Sequence, residues 1–224
     1  MNKWNIFLVL TILLFQGCSL NHQIVSNHIK SLEDQAKAGD IQSQYELGSA
    51  YDTGIGAPRD GHEAKKWYIK AAEQGHTEAQ NSLGSIYQAE HSYQSAMSWY
   101  EKAAEKNHDL AINNLGSLYD LGLSVAQDRK KGVELYLRAA TLGSAEAMFN
   151  MANKYGQGHV EQNGHIDNYN AYVWCLRAGK YANPAAIELN DKTRQCIKFV
   201  KTKLSEKQFS EGKKEAFNWS PSSK

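Results

Sequence analysis

The chain has 224 residues, 42% of them hydrophobic, and a formal net charge of +1, which is enough apolar material to bury a core and too much for a disordered chain. Lys3 is the only charge in the first seventeen residues, so a chain beginning at Cys18 carries 24 basic and 24 acidic side chains. That balance excludes nucleic acid as the main partner, because affinity for a phosphate backbone depends on an excess of Lys and Arg displacing counterions.

The first eighteen residues, MNKWNIFLVLTILLFQGC, stand apart. They hold one Lys, an apolar run from Ile6 to Phe15, and then Cys18. As a helix that run spans about 15 Å, half of a bilayer core, so residues 1–17 read as a signal peptide rather than a transmembrane anchor. Gly17-Cys18 directly after the run resembles the lipobox of bacterial lipoproteins, although Phe15 and Gln16 stand where a Leu and a small residue are usual. The resemblance implies cleavage before Cys18, diacylation of its thiol and acylation of the new amine. Ser19, where an Asp would retain the protein, is similar to the signal that sends Gram-negative lipoproteins to the outer membrane. Two or three acyl chains anchor stably, with residues 18–27 as lipidated Cys and tether and the rest facing the periplasm. Ordinary cleavage near Gly17 with a soluble product is the alternative.

Residues 28–179 are organised by self-similarity. SNHIKSLEDQAKAG, from Ser26, is helical and has the register of an orphan second helix. A first phrase then recurs as DIQSQYELGSAY from Asp40, HTEAQNSLGSIY from His76, HDLAINNLGSLY from His108 and SAEAMFNMANKY from Ser144. A second recurs as AKKWYIKAAEQG from Ala64, AMSWYEKAAEKN from Ala96, GVELYLRAATLG from Gly132 and NYNAYVWCLRAG from Asn168. In the first phrase Leu47, Leu83, Leu115 and Met151 lie four positions before Tyr51, Tyr87, Tyr119 and Tyr155, which is one face of a helix. The second phrase carries Tyr68, Tyr100, Tyr136 and Tyr172 and closes on Gly75, Asn107, Gly143 and Gly179, the residue types of a left-handed helix stop. Gly48, Gly84 and Gly116 sit mid-helix, where Gly costs about 1 kcal/mol against Ala. Their recurrence predicts close approach of a neighbouring helix, with Ala152 as the next smallest choice.

Residues 180–224 read as C-terminal capping helices. Asn183-Pro184 predicts an N-cap followed by Pro at the first helical position of a helix to about Lys203, and Ser205 with Gln208 predicts a capping box for a last helix. Phe199, Val200, Phe209, Phe217 and Trp219 look like the buried stripe that docks this cap. Nine basic and three acidic residues from Lys192 to Lys224 make this part +6 and residues 18–191 −6; such a segment suits anionic lipid or is a solvated face. Cys175 and Cys196 fall on consecutive predicted helices turning near residue 181, with Cys196 about 13 Å too far along for a bridge. Both therefore read as buried core thiols.

The order A-x-x-x-L-G-x-x-Y, a G-x-G loop and W-Y-x-K-A-A-E-Q-G, seen in Ala79 to Tyr87, Gly54 to Asp60 and Trp67 to Gly75, resembles the Sel-one-like repeat, a relative of the tetratricopeptide repeat. The resemblance covers about Gln35 to Gly179, and KLSEKQFSEGKKEAFNW is similar to the closing helix of many bacterial members. It implies an all-α, right-handed α-solenoid of helix-turn-helix repeats, four in number, with capping helices at both ends. By likeness to tetratricopeptide arrays the first helices line a concave groove. The variable positions of their non-core face are Tyr45, Asn81, Asn113 and Phe149, then Glu46, Ser82, Asn114 and Asn150, then Ser49, Ser85, Ser117 and Asn153. Amides and hydroxyls in such rows suit an extended peptide backbone, with Tyr45 and Phe149 as anchors; a solvated surface is the alternative for any one of them.

No G-x-S-x-G elbow, H-E-x-x-H or P-loop occurs. His159, Glu161, His165 and Asp167 have no metal-ligand spacing and read as a polar loop; no metal, cofactor or catalytic residue is expected. The expectation is a monomeric outer-membrane lipoprotein, not an enzyme, that binds a protein partner in the cell envelope as scaffold or adaptor. Two alternatives come from resemblance: an immunity protein neutralising a periplasm-acting toxin such as a phospholipase, and a β-lactamase-like or penicillin-binding enzyme. The enzymatic relatives carry a regular cysteine pair in each repeat, which this chain lacks.

Overall fold

The computed structural model describes residues 27–160 and 164–222, and every regular element among them is a helix. The expected signal peptide, Cys18 and all but the last residue of the expected tether lie outside the described residues, as does Glu161. Helix α1 covers residues 27–37. Four helix pairs follow: α2 (Ile41–Thr53) with α3 (Gly61–Glu73), α4 (Thr77–Ala89) with α5 (Tyr93–Glu105), α6 (Asp109–Leu121) with α7 (Arg129–Thr141), and α8 (Ala145–Gly156) with α9 (Asn168–Tyr181). Helices α10 (Ile187–Lys201) and α11 (Glu206–Asn218) close the chain. The fold class is the all-α repeat solenoid expected from the sequence. It divides into two compact units, one ending at Leu83 and one beginning at Gly84, so the division falls within α4.

Local chemistry sets the helix ends. Each first helix begins at the equivalent residue, Asp40, His76, His108 or Ser144, whose side chain accepts the N–H of Ser43, Ala79, Ala111 or Ala147. His76 and His108 are thus N-caps through Nδ1. Gly39, Gly75, Asn107 and Gly143 stop helices at φ of 98°, 91°, 60° and 105°. Gly179 is not such a stop, contrary to the expectation: α9 runs past it to Tyr181. A Cβ at Gly179 would lie 3.1 Å from Thr193 Cγ2, so this glycine admits α10 instead.

The mid-helix glycines admit the tyrosines of the second phrase. A Cβ would sit 2.7 Å from the Tyr68 ring at Gly48, 2.6 Å from Tyr100 at Gly84 and 3.1 Å from Tyr136 at Gly116. The buried hydroxyl then meets polar groups on the same first helix. Tyr68 donates to Asp52 at 3.5 Å and is bonded to Ser49, Tyr100 donates to Gln88 at 3.0 Å and Ser85 at 3.2 Å, and Tyr136 is bonded to Ser117 and Asp120. Burial first, and Asp52 next, push the Tyr68 phenol up to about 12. In the fourth copy Ala152 and Gly156 replace the small and the acceptor residue. Tyr172 rests instead on Gly212 and Phe209 of α11, and its buried hydroxyl has no hydrogen-bond partner among the described residues. Tyr100→Phe is expected to cost about 1 kcal/mol for its lost bonds, while Tyr172→Phe is neutral or stabilising. Urea denaturation of the two variants checks this, and an equal loss would refute it.

In the first unit, Leu32 and Ala36 of α1 pack with Leu47 and Trp67. The Gln44 amide donates to the Ala36 carbonyl at 3.1 Å, as Gln80 does to Ala72 of α3 at 3.1 Å. This equivalence makes α1 the orphan second helix that its register predicts. The second unit is built around Tyr100, Ile112, Leu118, Met148, Met151 and Trp174.

Three expectations for the C-terminal region are corrected. Asn183 caps a turn, accepting from Ala185 N at 2.9 Å, and α10 begins only at Ile187, so Pro184 is not its first helical residue. Cys175 and Cys196 form a disulfide with Cα atoms 6.3 Å apart. The tight hairpin assumed for them is absent: residues 182–186 form a non-helical linker, which leaves the cysteines about three residues, ~4.5 Å, out of step rather than nine. Phe199 and Phe217 are each 65% exposed instead of buried. The inward face of α10 is Thr193 and Val200 and that of α11 is Gly212 and Ala216, so each Phe is turned about 100° from the core by the helical step. The capping box of Ser205 and Gln208 is present.

Candidate binding groove

In the first unit, Tyr45 is half-buried, stacked on His76 with centroids 4.4 Å apart. Burial first, then Glu78 and Glu46, raises its phenol. Glu46 is exposed and accepts from Gln42 at 2.8 Å. Ser49 and Ser82 are bonded to the Tyr68 hydroxyl, and Asn81 is half-buried on α4. Glu46 and Ser49 also line a cavity of about 460 Å³ with Ile29, Leu32 and the exposed Ile55.

In the second unit most of the expected amides and hydroxyls are engaged within the molecule. Ser85 accepts from Tyr100, and Ser117 is bonded to Tyr136. Asn113 is buried; it accepts from Asn150 Nδ2 at 2.8 Å and donates to Asn114 at 3.4 Å, and Asn114 is also bonded to Tyr100. These side chains tie first helices to each other and to their tyrosines. Phe149 and Asn153 differ: they line a groove of about 380 Å³ together with Lys192, Gln195, Cys196 and Phe199 of α10.

Lys192, Gln195 and Phe199 were not among the residues expected to bind. Their spacing of three and four positions is the signal for one helix face, and assigning Phe199 to the core hid it. The disulfide fixes this part of the groove, because Cys196 lines it and its partner Cys175 is fully buried in α9. A concave, partly apolar surface with a few amides and one ammonium can hold an apolar side chain and the backbone next to it. Asp167 of the loop before α9 is that helix's N-cap. Among the described residues no group of three or more His, Cys, Asp or Glu is placed to hold a metal ion.

The Sel1 repeat matches residues 41–76, 77–108, 109–144 and 145–180, which are the four helix pairs in turn. The chain belongs to the Sel1 repeat family. This Sel1 repeat protein is 38% identical over 66 residues to a sel1-like repeat-containing protein of Acanthamoeba polyphaga mimivirus, a match covering 30% of this chain and 12% of that one. Among solved structures it is similar to a protective antigen present in uropathogenic Escherichia coli strains that displays an SLR fold, with 27% identity and a TM-score of 0.74 over 84% of this chain and 39% of the other. It is also similar to a Sel1 repeat protein from Oxalobacter formigenes, with 26% identity and a TM-score of 0.64 over 80% of each chain. The chain thus spans well under two thirds of the mimivirus and E. coli relatives. Its repeat scaffold is suited to protein–protein interaction.

Proposed function

We propose that this protein is an outer-membrane lipoprotein, acylated on Cys18, whose repeats recognise another protein in the cell envelope without catalysing a reaction. One observation carries the binding part: Phe199, 65% exposed, lines the same groove of the second unit as Phe149. Exposed aromatic side chains at a concave surface are the residues that anchor protein partners. Export is supported by the Gly17-Cys18 sequence after an apolar run and by the Cys175–Cys196 disulfide, since such bonds persist in oxidising compartments.

The test is one experiment on the full-length chain in cells fed labelled palmitate and treated with a crosslinker. Wild type is expected to take up label and to crosslink to a defined envelope protein. Cys18→Ser should lose the label, and Phe149→Ser with Phe199→Ser should reduce the crosslinked partner at least tenfold, about 1.4 kcal/mol or more. Equal capture by wild type and the Phe variant would overturn the groove, and label retained by Cys18→Ser would overturn the anchor. One tight one-to-one complex would fit neutralisation of a toxin; several weaker partners would fit a scaffold.

A further inference from the structure

The lining of the Phe199 groove has a definite charge character. It contains one ammonium, from Lys192, and no carboxylate; the rest is amide or apolar. Lys192 is held by Glu188 at 2.6 Å, and Arg194 by Asp191, so these do not supply surplus charge. The surplus beside Phe199 comes from Lys203, which has no carboxylate at ion-pair distance among the described residues, while the unpaired Lys201 sits over the Phe209 ring instead. Lys203 holds its ammonium 5.7 Å from the centre of the Phe199 ring. An apolar anchor point is therefore bordered by unneutralised positive charge. The cavity of the first unit has the opposite lining, with Glu46 and neither Lys nor Arg.

We infer that the groove between α8 and α10 takes an acidic peptide segment of the partner, with one apolar side chain seated between Phe149 and Phe199. A carboxylate next to that anchor faces Lys203, and the amides of Asn153 and Gln195 meet the segment's backbone. The concavity favours an inserted side chain over a flat lipid surface, which would need Phe199 to project from a convex one. This inference rests on the protein-recognition reading above and adds the partner's chemistry.

The experiment is selection of a displayed random peptide library on the full-length chain in detergent, followed by anisotropy titration of an enriched peptide. Enriched peptides should show an excess of Asp and Glu around a Leu, Phe or Trp. Their Kd should weaken at least about tenfold in Phe199→Ser and in Lys203→Glu, and weaken in wild type as salt is raised from about 50 to 500 mM. Enriched peptides without acidic excess, or equal affinity for the variants, would overturn it while leaving protein recognition standing at another surface. Binding of phosphatidylglycerol vesicles that is lost in Lys203→Glu, with no peptide enriched, would also overturn it, making the basic patch a lipid-facing one. Failure of the protein-recognition reading itself would show separately, as absence of any crosslinked partner in cells.

Discussion

Lys154→Met is expected to destabilise the second unit by about 3–5 kcal/mol. Lys154 Nζ lies 2.6 Å from Asp120 Oδ2, with the two side chains 12% and 7% exposed. Removing the ammonium leaves a carboxylate with almost no water to replace it. Asp120 also faces the buried Tyr136 hydroxyl, whose phenol is raised chiefly by burial and then by this carboxylate, so the pair and the tyrosine form one polar cluster. Coupling follows: Asp120→Asn with Lys154→Met removes both charges together and should recover most of the loss. Urea denaturation of wild type, both single variants and the double variant measures this. Additive losses, or a single-variant loss under about 1 kcal/mol, would mean that water reaches the pair in the folded state.

Cys175→Ala with Cys196→Ala is expected to cost about 3 kcal/mol, because the bridge closes a loop of 21 residues that the unfolded chain must otherwise explore. The effect reaches beyond stability. Cys196 is half-buried and lines the groove, so the bridge ties α10, which carries Lys192, Gln195 and Phe199, to α9. Treatment of wild type with a dithiol should reproduce the stability of the double variant and have no further effect on that variant. Denaturation midpoints with and without reductant check both statements; a midpoint unchanged by reductant would show that the bridge contributes nothing.

The repeat architecture was legible because it is written in periodic features. Glycines at 48, 84 and 116 and tyrosines at 68, 100 and 136 recur at fixed positions of their phrases, and the ring packed on a bare backbone is the reason for both. The acceptors Asp52, Gln88 and Asp120 recur as well, but as residues that a surface would equally carry, so their pairing with tyrosine hydroxyls could be seen only in three dimensions. The C-terminal region has no such repetition to constrain it. Its helix start, its disulfide and the exposure of Phe199 depend on a linker whose conformation the Asn183-Pro184 pair alone does not specify. A hint was present: counting 42 residues on from Asn150 and Asn153, rather than the usual 36, reaches Lys192 and Gln195, the same offset that separates Ala145 from Ile187. Several residues of the expected binding rows have partners inside the molecule. Ser85, Asn113 and Ser117 bond within the second unit, and a hydroxyl or amide looks the same in sequence whether it meets a partner or a neighbouring helix.

A partner bound in the α8–α10 groove would lie within reach of residue 199. The measurement places a photo-activatable phenylalanine analogue at position 199 in one full-length variant and at the exposed Leu137 of α7 in another, with irradiation in living cells. A discrete adduct of the same envelope protein at position 199, absent at position 137, is the predicted result. An adduct at 137 with none at 199, or the same adduct at both, would contradict it.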